Sequence, residues 1–146
     1  MDSRAHATAH DAKAAIAFYA KAFGAVEQFR LSESSGRLGH AEIRIGDSVL
    51  MLNDKYPDFG ARSPASVGGS PVAFRIEVPD AAAAADRAVK AGATVVRPEQ
   101  DEFYGDRMSM VACQFGYRWS LATPKEQVSP VEMQRRWSKM LSGGWQ

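Results

Sequence analysis

Residues 10–25, with the sequence HDAKAAIAFYAKAFGA, decide the fold of this chain. Their apolar positions form one stripe of a helix, which Asp11 caps at its start and Gly24 ends in the left-handed conformation. A weaker copy, PDAAAAADRAVKAGA, occupies residues 79–93, where Asp80 takes the place of Asp11. The two aspartates lie 69 residues apart. A repeat of nearly half the chain length indicates one supersecondary unit used twice.

Segments with a strand-like pattern surround each helix, because apolar and polar residues alternate in them. Each copy therefore has the order β-α-β-β-β. The predicted fold class is α+β, with two such modules forming an eight-stranded cup, and residues 98–106 are expected to form a loop. The strands are expected at about residues 4–9, 26–31, 39–45 and 48–53 in the first module and 71–78, 94–97, 108–112 and 117–122 in the second.

The predicted organisation is one domain over residues 1–126, followed by a C-terminal helix and tail over 127–146. Ser129 and Glu132 form a capping box that starts this last helix. Its apolar stripe is expected to dock on the body of the protein or on a second subunit, and consists of Met133, Trp137, Met140 and Leu141. Within the domain, module one is assigned to residues 1–53, a linker loop to 54–70 and module two to 71–126.

The composition is that of an ordinary globular domain, with 45% hydrophobic and 24% charged residues in 146. A net charge of +1 gives no field that would attract nucleic acid or an acidic membrane, so neither is expected as a partner. The lone Cys113 rules out an internal disulfide. Because no apolar run has the length of a signal peptide core or a membrane span, a cytoplasmic location is expected.

Polar residues on one strand face are the first functional candidates. His40, Glu42 and Arg44 alternate with apolar residues in the 39–45 strand, so they share a face. A histidine beside a carboxylate is a possible general base, or a hydrogen-bonding group that responds to pH. The alternative is a structural histidine that pairs within the strand face.

Three arginines would place cationic donors in or near the cup, where they could bind a carboxylate or phosphate. They are Arg44, Arg75 and Arg107, and the alternative is that they form salt bridges with Glu42, Glu77 and Asp106. Tyr104 could stack on an aromatic ligand. Tyr56 and Phe59 in the linker loop could close over one.

Three stretches resemble a known family. The duplicated module is similar to the vicinal oxygen chelate superfamily of glyoxalases, bleomycin-resistance proteins and extradiol dioxygenases. Within it, the resemblance is to the PhnB-like branch, whose last hairpin usually has Asp-Pro-Phe-Gly-His where this chain has Cys113-Gln-Phe-Gly-Tyr117. The stretches are AAIAFYAKAFGA at 14–25, GHAEIRIGDS at 39–48 with MLND at 51–54, and FYGDR at 103–107.

The resemblance implies a divalent metal held in the cup by His, Gln or Glu from the first and last strand of each module. Placed without gaps, those positions fall on Arg4, Met51, Ala73 and Ser120, none of which is a usual ligand. A slip of two residues on the first strand would bring His6 into place.

The resemblance and the missing ligands together predict a metal-free protein that encloses an aromatic or planar organic molecule, as drug-sequestering resistance proteins do. The alternatives are a metal-dependent lyase, isomerase or dioxygenase using one divalent metal on His6 and His40, and a metal-free catalyst with His40 as its base. The resemblance also implies a homodimer. The expected ligand-binding residues are His6, His40, Glu42, Arg44, Met51, Arg75, Tyr104, Arg107 and Ser120.

Overall fold

A computed structural model describes residues 1–143 of the chain. These residues form eight strands and three α-helices, with two short 3-10 turns between the modules. In chain order the elements are β1 (His6–Ala9), α1 (Ala12–Phe23), β2 (Val26–Ser32), β3 (Leu38–Ile45), β4 (Ser48–Asp54), the turns Pro57–Phe59 and Pro64–Val67, β5 (Ala73–Glu77), α2 (Ala81–Ala91), β6 (Thr94–Asp101), β7 (Asp106–Ala112), β8 (Arg118–Pro124) and α3 (Pro130–Ser142).

The duplicated helices begin and end as the repeat predicts. The side chain of Asp11 accepts a hydrogen bond from the amide of Ala14, and that of Asp80 accepts one from Ala83, both at 3.1 Å. Gly24 has a φ of 69°, in the left-handed region that glycine adopts without strain. Both capped helices are therefore confirmed.

The strands form two four-stranded sheets, in the orders β1-β4-β3-β2 and β5-β8-β7-β6. The first strand of each module runs parallel to the last, and the other neighbours are antiparallel. This topology confirms the predicted fold of two β-α-β-β-β modules followed by a C-terminal helix. In one chain β1 and β5 are edge strands of separate sheets.

One hydrophobic core joins the two modules. It contains the alanine-rich faces of α1 and α2, which contact each other, and the helix-facing side chains of both sheets. Trp119 of β8 lies against three rings, those of Tyr19 and Phe23 from the first module and Phe74 from the second, at centroid distances of 5.1, 4.8 and 4.5 Å. The aromatic packing therefore fixes each module against the other.

Two segments differ from the sequence-based expectation. The strand β6 continues to Asp101, although residues 98–106 were expected to be a loop; Pro98 is tolerated because β6 is an edge strand. In α3, three residues of the expected stripe are half-buried, but Leu141 is exposed. Among the helices of residues 1–143, none is both long and apolar enough to cross a membrane.

Candidate ligand-binding site

A row of side chains crosses the first sheet on the side facing away from α1, which is the first face. Strand register places His6 beside Met51, Met51 beside Glu42 and Glu42 beside Phe29. In the neighbouring row Leu31 lies beside His40. Phe29 and Leu31 are exposed apolar side chains, 44% and 60% accessible, so this face combines polar groups with open apolar surface.

The two histidines of this face are in contact. Their rings meet edge to face at a centroid distance of 5.5 Å, and the ring of Phe29 lies 5.8 Å from that of His40. The Nε2 atom of His40 is 3.0 Å from a carboxylate oxygen of Glu42, a hydrogen bond between partly buried side chains. When Nε2 carries the hydrogen, Nδ1 of neutral His40 is an acceptor.

Partial burial, and secondly the charge of the neighbouring His40, lower the pKa of His6 below its ordinary value. Both causes act in the direction expected for a base, because desolvation and a nearby positive charge disfavour its protonated form. His6 is therefore more readily neutral near pH 7 than an isolated histidine. A neutral imidazole can both donate and accept a hydrogen bond to a ligand.

The second sheet carries a different set of side chains on its side facing away from α2, which is the second face. Arg75 lies beside Ser120, and its guanidinium donates to Asp106 at 2.6 Å and to Glu77 at 3.0 Å. These two hydrogen bonds raise the pKa of Arg75 further. The hydroxyl of Tyr104 lies 3.3 Å from the sulfur of Met108 on the adjacent strand. This face therefore offers a cation flanked by carboxylates, with aromatic and thioether surface nearby.

The register favours the alternative placement of the metal-ligand positions, in which the first strand slips by two residues and His6 comes into place. Met51 lies beside His6 rather than Arg4, and Ser120 lies beside Arg75 rather than Ala73. The slip is two residues in both modules, so the 69-residue offset still relates the pairs. Of the four residues paired in this way, only His6 is a usual metal ligand, and the guanidinium of Arg75 would repel a cation.

These four residues do not match the ligand set of a zinc site. Catalytic zinc has three protein ligands of suitable chemistry and structural zinc four, and the paired positions supply one. Nowhere in residues 1–143, the His6–His40–Glu42 cluster included, is a group of three His, Cys, Asp or Glu side chains arranged to hold a metal ion.

The predicted ligand-binding residues are divided between the two sheets. His6, His40, Glu42 and Met51 come together on the first sheet, and Arg75, Ser120 and Tyr104 lie on or next to the second. Arg44 is exposed further along β3.

Arg107 is separated from the other predicted residues. Its neighbour two positions on, Ser109, donates its hydroxyl to the Ala81 carbonyl of α2, so alternation places Arg107 on the helix side of β7. Arg107 pairs there with Asp101 at 2.8 Å and Glu99 at 3.5 Å. The salt-bridge alternative therefore describes Arg107, although its partners differ from those expected.

Sequence reasoning missed four residues of the first face. Besides Phe29 and Leu31 these are Thr8 and Asn53, whose side chains are joined by a 2.8 Å hydrogen bond. Alternation along β1 and β4 places Thr8 and Asn53 on the same side as His6 and Met51. The sequence pattern could therefore have identified these two residues. The position of Phe29 depends on a register shift within β2, which a strand pattern does not reveal.

A cleft of about 1370 Å³ is lined by the segment before β1, the turn between β3 and β4, strand β5, and residues of α1 and α2. Its lining includes the aromatic residues Phe23, Phe74 and Trp119 and the cationic residues Arg4 and Arg75. His6, His40 and Glu42 are not part of it. The cleft therefore includes Arg75 but none of the residues of the histidine cluster.

The family model of the Glyoxalase/Bleomycin resistance protein/Dioxygenase superfamily matches residues 4–121. An uncharacterized protein of Mycobacterium bovis, Mb0911c, is 43% identical over 141 residues, which cover 94% of this chain and 93% of that protein. The Mycobacterium tuberculosis protein Rv0887c is also 43% identical, with 94% of this chain and 83% of that protein covered.

Solved structures share the fold. A gene product from Arabidopsis thaliana superposes with a TM-score of 0.64 at 30% identity, over 84% of this chain and 96% of that chain. A glyoxalase-related enzyme from Fulvimarina pelagi superposes with a TM-score of 0.68 at 21% identity, over 84% of this chain and 87% of that chain. At 21% identity the second similarity concerns the fold alone.

Proposed function

Because the chain belongs to the Glyoxalase/Bleomycin resistance protein/Dioxygenase superfamily, we propose that it binds a small aromatic or planar organic molecule without a metal ion. The fold alone does not decide this, since one fold hosts many functions. The resemblance of three stretches to PhnB-like proteins suggests the branch, and sequestration of a drug is one role that such binding could serve.

The observation that carries the proposal is the His6–His40–Glu42 cluster beside exposed Phe29. Small-molecule sites combine apolar and aromatic surface with a few polar groups that fix orientation. Here Phe29 and the imidazole rings supply surfaces for a planar ring. The Nδ1 atom of His40 supplies an acceptor when Glu42 holds the hydrogen of Nε2.

The side chains at the paired strand positions support binding without a metal ion. In this register Met51, Arg75 and Ser120 take the positions that the family resemblance assigns to metal ligands, which would leave His6 without the partners that a divalent ion needs. Ligand capture would then depend on shape, stacking and hydrogen bonds.

The proposed partner is a second copy of the chain. In one chain the two functional faces belong to separate sheets, whose edge strands β1 and β5 are not hydrogen-bonded to each other. A homodimer would bring the first face of one chain against the second face of the other and so enclose a ligand between them. Light scattering at micromolar concentrations tests this, and a monomer throughout would contradict it.

Binding is tested by calorimetric or fluorescence titration with a panel of aromatic compounds. We expect His40→Ala and Phe29→Ala to weaken binding about tenfold or more, because each removes a group of the cluster. His10→Ala is the matched control, since His10 lies against Phe115 outside the cluster. Equal affinity in all three variants would exclude the first face as the site.

Elemental analysis of freshly purified protein tests the metal-free proposal. Less than a tenth of an equivalent of Zn, Ni, Mn or Fe is expected. A stoichiometric ion lost in a His6→Ala/His40→Ala variant would establish the alternative of a metal-dependent lyase, isomerase or dioxygenase.

A second candidate function is metal-free acid–base catalysis. The 3.0 Å contact between His40 and Glu42 favours it, because a carboxylate that holds one ring nitrogen leaves the other free to take a proton. His40→Ala would then abolish turnover, whereas a His40→Gln variant would retain binding of the substrate. A binding protein without turnover of any bound compound would contradict this function.

A further inference from the structure

We propose that the C-terminal helix positions Tyr104 at the second face, acting through the turn of residues 102–105. The helix would then determine which ligands that face accepts. The assignment of Tyr104 to a ligand-binding face rests on the proposed function, whereas the mechanical link between α3 and Tyr104 does not.

The first step of the link is the contact between α3 and the turn. A guanidinium nitrogen of Arg136 donates to the carbonyl oxygen of Phe103 at 3.0 Å. At the next residue of the helix, the ring centroid of Trp137 lies 5.5 Å from that of Phe103. Both the backbone and the side chain of Phe103 are thus held by α3.

The guanidinium of Arg136 is itself fixed. It pairs with Glu126 at 2.8 Å and with Glu132 at 3.0 Å. Glu126 lies in the segment that leads into α3, and Glu132 lies one turn earlier in the helix. Arg136 therefore ties three parts of the chain together, namely the helix, the segment before it and the turn at Phe103.

Backbone hydrogen bonds also join the turn directly to the segment before α3. The carbonyl oxygen of Gly105 accepts from the amides of Lys125 and Glu126, at 2.9 and 3.1 Å. Gly105 has a φ of 104°, and a Cβ atom at that position would collide with the carbonyl oxygen of Glu126. Only glycine allows the turn and the segment before α3 to approach this closely.

The second step runs from the turn to the sheet. The ring of Tyr104 packs edge to face on that of Phe103, at a centroid distance of 5.2 Å. Its hydroxyl lies 3.3 Å from the sulfur of Met108, on the strand that begins with Asp106, the partner of Arg75. Burial, assisted by the charges of Glu102 and Asp106, raises the pKa of Tyr104. Tyr104 is therefore in the electrostatic environment of the second face.

These contacts make a continuous series from Trp137 through Phe103 and Tyr104 to Met108. Packed aromatic rings transmit a displacement because they cannot interpenetrate, and a thioether adapts to the ring placed against it. A change in the seating of α3 must therefore alter where the Tyr104 hydroxyl lies.

Hydrogen exchange tests the link without any ligand. In Arg136→Gln and Trp137→Ala we expect the amides of residues 102–106 to exchange about tenfold faster than in the unaltered chain, while those of β3 keep their rates. Arg135→Gln is the matched control, because Arg135 pairs with Glu132 and does not contact the turn. Trp137→Phe should restore protection, since it keeps a ring against Phe103.

The ionisation of Tyr104 is the second readout, followed by NMR with Tyr104→Phe to assign the signal. Release of the turn should lower the pKa of Tyr104 towards that of an exposed tyrosine in Arg136→Gln and Trp137→Ala but not in Arg135→Gln. Unchanged exchange and unchanged titration in the two variants would overturn the proposal. A measurement on the unaltered chain could also overturn the proposal. If the amides of residues 102–106 exchange more than a hundredfold more slowly than those of α3, the turn does not depend on the helix.

If a ligand of the second face is found, its affinity for the variants gives a separate test. Weaker binding in Tyr104→Phe, Arg136→Gln and Trp137→Ala, with Arg135→Gln unchanged, supports the role of α3 in selection. If exchange and titration respond but no aromatic compound binds, the link stands and the proposed function fails.

Discussion

The hydroxyl of Tyr117 satisfies both backbone groups of Thr8. It accepts from the Thr8 amide at 3.2 Å and donates to the Thr8 carbonyl at 3.0 Å, across 109 residues of sequence. Thr8 lies in the edge strand β1, where backbone groups have no further strand to pair with. A tyrosine in the last hairpin of the second module therefore completes the first strand of the first.

Replacement of Tyr117 by Phe should lower the free energy of unfolding by about 1–2 kcal/mol, because it leaves a part-buried amide and carbonyl without their partner. Urea denaturation followed by circular dichroism measures this. Tyr56→Phe is the control, since its hydroxyl bonds to Glu33 on exposed surface. A loss in Tyr117→Phe no larger than in the control would show that water replaces the hydroxyl.

A second prediction concerns Gly116 and the linker loop. Gly116 has a φ of 91°, and a Cβ atom there would lie 2.5 Å from the Cβ of Pro64. Gly116→Ala should therefore destabilise the protein by about 2–4 kcal/mol through backbone strain and collision. Gly46→Ala, at a φ of 59° with open space around it, should show the strain alone.

The collision can be separated from the strain by a double-mutant cycle. Pro64→Gly with Gly116→Ala should recover part of the loss, because it removes the atoms that the new methyl group meets. Additive effects of the two substitutions would show that Pro64 does not contact the hairpin in solution.

A third prediction concerns Asp54, a buried carboxylate at the end of β4. One oxygen accepts from the amide of Ala12, the first residue of α1, at 2.7 Å, and the other from the amide of Leu38, the first residue of β3, at 2.6 Å. Asp54→Ala should lower stability by roughly 2–4 kcal/mol, because hydrogen bonds to a charged group are strong and both amides would lose theirs.

Asp11→Ala is the matched comparison for Asp54. It removes one exposed cap from the same helix and should lower stability by about 1 kcal/mol. Thermal unfolding monitored by calorimetry ranks the two variants. A larger effect at Asp11 would mean that helix capping outweighs the buried carboxylate.

A fourth prediction follows from the lowered pKa of His6. Between that lowered value and about 6.5, the unfolded chain binds more protons at this position than the folded chain. His6 therefore contributes stability that is complete above about pH 6.5 and falls as the pH drops through this window. His6→Gln should flatten this part of the stability profile.

NMR titration of the His6 ring checks the same effect directly. His40→Gln should raise the pKa of His6, because it removes the neighbouring positive charge, but burial should keep the value below that of an exposed histidine. An unchanged pKa in His40→Gln would contradict the contact between the two rings.

The parts of the fold that depend on local sequence could be predicted. Helix caps at Asp11 and Asp80 and the alternation of β3 involve residues within a few positions of each other, and each is present in the structure. The placement of His6 beside Met51 could not be fixed in this way. A slip of two residues keeps every side chain on its own face, so an alternating pattern cannot detect it.

The composition of the candidate site was less predictable than the fold. Phe29 joins the face of His40 because β2 shifts its register between Glu27 and Phe29, and such a bulge leaves no clear signal in a short strand. The strand β6 likewise shifts between Arg97 and Gln100, on either side of the proline that suggested a loop. Contacts between modules, such as that of Tyr117 with Thr8, require the folded chain.

Equivalent positions of the two modules carry side chains of different chemistry. His6 and Met51 in one module correspond to Arg75 and Ser120 in the other, although the strand geometry is the same. A guest touching both would meet an imidazole at one end and a guanidinium at the other. Turning such a guest end over end would then exchange a favourable pairing for an unfavourable one, so the two positions would distinguish its two ends.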